Sequence, residues 1–139
     1  FDHEKSLLEG VDGIEPVFYE TANDDQISQK LIKKIGDLLE DPSISEDQII
    51  ILCDETKRRE RFANDTKSIT RLKGKAIETS SIKRFKGLEE DIVFLVLPST
   101  PPDAEYLRKH AYVGMSRAIA SLHVFGTIED KDVLNWDKE

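Results

Sequence analysis

The chain has 139 residues, a formal net charge of −8, 35% charged residues and 7% aromatic residues. That length fits one domain with a real core. No stretch approaches the roughly 20 apolar residues of a membrane span, and the acidic total excludes a domain that holds nucleic acid by bulk electrostatics alone. No signal peptide is visible and the chain does not begin with Met, so a piece of a longer protein is expected. Cys53 is the single cysteine and lies in the apolar run from Ile49 to Cys53. It reads as a small core residue, and without a partner for a disulfide it fits a reducing, cytoplasmic compartment.

In chain order, Val17-Phe18-Tyr19 predicts a short strand after Pro16. Asn23, Asp24 or Asp25 can cap a following helix, in which Ile27, Leu31, Ile35, Leu38 and Leu39 recur at helical spacing to about Glu40. The run Ile49–Cys53 is short and continuously apolar, the pattern of a strand buried on both faces of a parallel sheet. Thr56 can cap a short charged helix through Phe62, and Asn64 to Lys75 reads as a loop or edge hairpin. Ala76–Thr79 is a weak strand, and Ile92–Leu97 is the strongest strand in the chain. Asp103 can cap a helix to about Ala118, and Leu122–Phe125 closes as a strand ending at Gly126. A last amphipathic turn carries Val133, Leu134 and Trp136. Buried strands alternating with helices predict an α/β domain with a mostly parallel sheet.

Charge is distributed unevenly. Acids dominate from Glu20 to Asp47 and in the C-terminal tail, whereas Lys57, Arg58, Arg59, Arg61, Lys67, Arg71, Lys73, Lys75, Lys83, Arg84 and Lys86 form a basic segment. Such a strip either touches a phosphate backbone or is a solvated face.

Two blocks concentrate the chemistry. The first runs Ile82-Lys83-Arg84-Phe85-Lys86-Gly87-Leu88-Glu89 and leads into the strongest strand. Gly87 there either permits a ligand to approach the backbone or caps a turn, and both can hold together. The second is Tyr112-Val113-Gly114-Met115-Ser116-Arg117-Ala118. On a helix with Ala104, Leu107, Ala111, Met115 and Ala118 towards the core, Arg117 lies about 200° from Met115. It is therefore expected off the core, with His110, Val113 and Gly114 near the same side. A helical glycine costs about 1 kcal/mol relative to Ala, which calls for close approach of another surface or a ligand. Arginine offers a permanent charge and a planar fork suited to phosphate oxygens.

Taken together, the blocks resemble motifs V and VI of superfamily 1 helicases of the UvrD/Rep type. Lys86-Gly87-Leu88-Glu89 is similar to the core of motif V, and Tyr112–Ala118 to a Tyr-Val-Ala-Leu-Thr-Arg-Ala motif VI. The resemblance covers about Ala76 to Gly126. It implies a single C-terminal RecA-like domain over residues 1–139, a three-layer fold, and ATP with Mg²⁺ bound mainly by an N-terminal RecA-like domain of the same protein. By motif position, Arg117 would be the arginine finger. Gly87 and Glu89 would sit near the nucleotide, Glu89 towards the ribose, while Ser81, Lys83 and Arg84 would contact single-stranded or partly duplex DNA through its backbone. No metal ligand and no membrane partner are implied.

Two departures bear on this. At the place of motif IV, Cys53 and Asp54 stand where the family often has Tyr-Arg, with Lys57 or Arg58 as substitutes. No Gly-x-x-x-x-Gly-Lys-Ser/Thr occurs in the sequence, so the phosphate loop is expected elsewhere in the protein and this chain alone is expected to be inactive. The resemblance thus implies the C-terminal motor domain of an ATP-dependent DNA helicase. The alternatives are a helicase-like nucleic-acid-binding or regulatory module without a working motor, and an RNA-directed motor.

Overall fold

The two long apolar runs become the centre of a sheet. In the computed structural model, which describes residues 15–136, Ile49–Leu52 forms strand β2 and Glu90–Val96 forms β4, paired in parallel with Ile50 opposite Val93. Their side chains alternate between two apolar layers. Ile50, Leu52, Val93 and Leu95 enter one layer, and Ile49, Ile51, Ile92, Phe94 and Val96 the other. A strand covered on both faces needs apolar residues at every position, which is why these runs show no polar alternation.

Three further strands complete the sheet: β1 (Val17–Glu20), β3 (Glu78–Ser80) and β5 (Ala118–Gly126). The order is β1-β5-β4-β2-β3 and every pairing is parallel. Helices α1 (Asp24–Leu39) and α2 (Thr56–Thr66) supply Ile27, Leu31, Ile35, Leu39 and Phe62 to one apolar layer. Helix α3 (Ala104–Met115) supplies Leu107, Ala111 and Met115 to the other, where Leu134 and Trp136 follow helix α4 (Ile128–Val133). The result is a three-layer α/β fold with an all-parallel sheet, consistent with a RecA-like domain. Among the described residues no helix is long and apolar enough to cross a membrane.

The helix starts follow their capping residues. The Asn23 side chain accepts from the Gln26 N–H at 3.0 Å, and Asp103 accepts from the Tyr106 N–H at 2.7 Å; each cap is worth about 1 kcal/mol. Helix α2 continues past Phe62 to Thr66, further than its apolar pattern predicts, and its N-cap is Glu55 rather than Thr56. Long-range bonds hold the extra turn. Asp65 accepts from the Ser28 hydroxyl at 2.6 Å, and the Thr66 hydroxyl accepts from the Ile77 N–H at 3.0 Å. The predicted loop or hairpin after Asn64 contains instead a 3-10 turn at Thr70–Leu72, with Ile69 and Leu72 in the core.

The helix carrying the second motif differs from its sequence reading at several positions. It ends at Met115, so Arg117 lies in the turn before β5, and Ala118 already belongs to the strand. Ala104 is exposed rather than core-facing. Gly114 is buried, and a Cβ there would lie 2.8 and 2.9 Å from the two terminal methyls of Leu95 and 3.0 Å from Ile82. The surface that approaches this glycine is therefore the central strand. A bulky branched side chain has no room beside fully buried Leu95, so Gly114→Val is expected to destabilise the fold by about 2–3 kcal/mol, read from urea midpoints at constant slope. Wild-type stability in that variant would contradict the close helix–sheet packing.

Candidate nucleotide and nucleic-acid edges

Because all five strands are parallel, their amino ends lie along one edge of the sheet and their carboxyl ends along the other. The Ser81–Glu89 connection joins the end of β3 to the start of β4 and so crosses from the second edge to the first. It is anchored on the way by Ile82 and Phe85, which are buried in the same layer as α3. Turn bonds from the Phe85 N–H to the Ser81 carbonyl (3.1 Å) and from the Lys86 N–H to the Lys83 carbonyl (3.2 Å) shape it.

The amino edge gathers Gly87, Glu89 and Arg117. Strands β4 and β5 are neighbours with Glu90 opposite Ala118, and the Glu90 N–H donates to the Arg117 carbonyl at 2.9 Å. The two motif blocks, about thirty residues apart in sequence, thereby meet. Gly87 has φ +80°, a left-handed conformation that explains the glycine, and a Cβ built there meets nothing within 4 Å. Gly87 and Glu89 are exposed, and Arg117 is half-buried. The Arg117 Nε is shielded from solvent and has no hydrogen-bond partner among the described residues. An unsatisfied buried donor of this kind costs about 1–3 kcal/mol, more when charged.

The carboxyl edge carries Ser81, Lys83 and Arg84. The Arg84 N–H donates to the Ser81 hydroxyl at 3.0 Å, and the Lys83 and Arg84 side chains are exposed. Beside them lies Asp54, whose Oδ1 accepts from the Ile82 N–H at 2.7 Å and whose Oδ2 is 3.5 Å from His110 Nδ1. The His110 side chain is only 7% exposed and its Nε2 has no partner among the described residues, so His110 is not on the solvent side where the helical wheel puts it. Burial lowers the His110 pKa, partly offset by Asp54 and Glu55. The ring is therefore neutral at pH 7, and its approach to Asp54 is not an ion pair there. Periodicity in α3 gives no sign of this contact, since Asp54 comes from the bend that follows β2.

The residues at the place of motif IV are engaged internally. Cys53 is fully buried, and burial pushes its thiol up to about 11, which leaves it protonated and unreactive. Arg58 is 14% exposed on its side chain. It pairs with Asp24 and Glu55 and donates to the Leu97 carbonyl at 3.1 Å. Burial opposes ionisation of Glu55, but hydrogen bonds from Ser99 and Arg58 outweigh it and hold that carboxyl below its usual range. Arg58 thus links α1, α2 and the end of β4 and is not available to a phosphate, whereas Lys57 is exposed.

No protein-family model matches the sequence, and no curated protein matches it. The fold is similar to a solved structure described as the C-terminal domain of a possible DNA helicase from Lactobacillus plantarum WCFS1, with a TM-score of 0.56 and 20% identity. The match covers 91% of this chain and 82% of that one. At this identity the likeness is one of fold.

Proposed function

We propose that this chain is the C-terminal motor domain of an ATP-dependent DNA helicase of the UvrD/Rep type. The observation that carries the reading is the hydrogen bond between the Glu90 N–H and the Arg117 carbonyl. It puts a glycine turn, a carboxylate and an arginine with an unpartnered donor at one edge, while the cationic turn from Ser81 stands at the other. The fold likeness to a domain described as part of a possible DNA helicase supports it.

The residues at the amino edge suit a nucleotide. The Arg117 guanidinium supplies fixed positive charge and fork geometry for phosphate oxygens, which stabilises charge building up as a phosphoryl group departs. Gly87 keeps the turn free of a side chain, and Glu89 can accept from ribose hydroxyls. The phosphate loop and the Mg²⁺ site would come from an N-terminal RecA-like domain, which faces this edge across a cleft. At the opposite edge, Lys83 and Arg84 contact the backbone of a DNA single strand without reading its bases, and Ser81 adds a hydroxyl.

A second reading, a helicase-like module without a working motor, is favoured by the committed state of Cys53, Asp54 and Arg58, which offer neither an adenine-stacking ring nor a free arginine. One assay separates the two. The 139-residue chain is expected to show no ATP hydrolysis above buffer, and the intact protein to hydrolyse ATP faster with single-stranded DNA. Turnover by the isolated chain would remove the need for a partner domain, and an intact protein with no DNA-stimulated turnover would favour the second reading.

A further inference from the structure

Between α2 and the outer edge of β3 runs an open groove of about 480 Å³. Arg59, Lys67 and Arg84 line it, against a single acid, Glu60, and its remaining wall is small or polar, including Ala63, Asn64 and Thr79. Among the described residues β3 pairs with β2 alone and ends the sheet, and its Thr79 lines the groove. The surroundings are strongly cationic for so acidic a chain. Residues 57–86 hold eleven Lys or Arg and three Asp or Glu, within a total charge of −8.

Part of that charge is used within the fold. Arg58 and Arg61 pair with carboxylates of α1 and α2 and with Glu55, while Arg59 and Arg71 donate to backbone carbonyls. Lys67 and Arg84 are exposed and form no ion pair among the described residues. Their charges are unneutralised and face a common channel. Arg84 belongs both to this groove and to the turn that begins at Ser81, so the two surfaces are continuous.

We infer that this groove is a second contact surface for the phosphodiester backbone of a single-stranded nucleic acid, entered through Arg84 and followed along α2 to Lys67. The inference rests on the proposed helicase reading and extends its nucleic-acid surface from the carboxyl edge of the sheet to the outer face of β3. Charge complementarity selects an anionic occupant. The groove has no large apolar or aromatic residue to seat the anchors that dominate peptide interfaces, which favours a phosphate backbone over an acidic protein segment. Contacts of this kind carry no sequence information and are recognised by their salt dependence.

The test is fluorescence anisotropy of the 139-residue chain with oligo-dT and oligo-U, from about 50 to about 200 mM salt. Lys67→Ala is expected to reduce the slope of log K against log salt by roughly 0.7, the single-strand value for one phosphate contact, and to weaken both oligonucleotides alike. Lys33→Ala, on exposed α1, is expected to leave the slope unchanged. A double Lys83→Ala, Arg84→Ala variant probes the underlying reading separately. If it loses affinity while Lys67→Ala keeps the wild-type slope, the groove inference fails and the carboxyl-edge reading stands. If the wild type binds neither oligonucleotide, both fail. A Lys67 effect confined to one sugar type overturns backbone contact. Lys67-dependent binding of polyglutamate, with no binding of either oligonucleotide, would assign the groove to an acidic peptide instead.

Discussion

Arg117→Ala in the intact protein is expected to lower kcat for DNA-stimulated ATP hydrolysis by about 10³-fold or more, equivalent to about 4 kcal/mol of transition-state stabilisation. The fold should be little affected. Arg117 lies beyond the end of α3, and its interaction with β4 uses its backbone carbonyl, which the substitution retains. Its Nε has no partner to lose among the described residues. A drop in kcat with near-unchanged nucleotide affinity would mark an interaction made mainly in the transition state. Arg117→Lys should restore little, because an ammonium keeps the charge but not the planar fork. Wild-type turnover in Arg117→Ala would rule out the finger role, and a large fall in thermal midpoint would reassign the residue to the fold.

Acidification from pH 6.5 to 4 is expected to cost the domain about 3 kcal/mol through His123. This residue is 4% exposed. Its Nδ1 lies 2.9 Å from the Tyr19 hydroxyl and its Nε2 2.8 Å from the Ser121 hydroxyl, and its ring stacks on Phe94 at 4.5 Å. Burial, with a smaller contribution from Lys34, lowers its pKa to about 4. Between that value and the unfolded value of about 6.5, the unfolded chain holds the proton and the native chain does not. Stability therefore falls as pH falls through this window, and the loss is complete once the native ring also protonates. Urea unfolding across the window measures it. His123→Gln, which keeps a polar group in reach of both hydroxyls, should remove most of the slope, with the remainder owing to His110 and Glu55, whose pKa values are also lowered. Parallel profiles for wild type and variant would sink the assignment.

Much of the fold is legible in local sequence. The apolar runs at Ile49 and Ile92, the helical spacing from Ile27 to Leu39, and the caps at Asn23 and Asp103 all express short-range physics, namely side-chain period and backbone hydrogen bonding near one residue. The misread positions depend on distant partners. Gly114 was placed by the apolar residues around it, but a residue without a side chain leaves no mark on a hydrophobic pattern. Only Leu95 and Ile82, on other segments, show which way it faces. Ile119 and Ala120 are exposed within β5, so the first half of that strand is not buried as a continuous apolar run and is held by its pairing with β4. His110 reads as a solvent-side residue until Asp54 is brought beside it.

The sequence by itself determined the main strands and helices and the order of the two motif blocks, because each follows from residues close together in the chain. Only the tertiary structure decided where those blocks lie. Parallel pairing of β4 with β5 joins Glu90 to Arg117 at one edge, and the short connection from Ser81 to Glu89 carries one continuous motif from the cationic edge to the other. The reason is that strand order and direction are set by burying both faces of the whole sheet at once, a condition that no single segment can express.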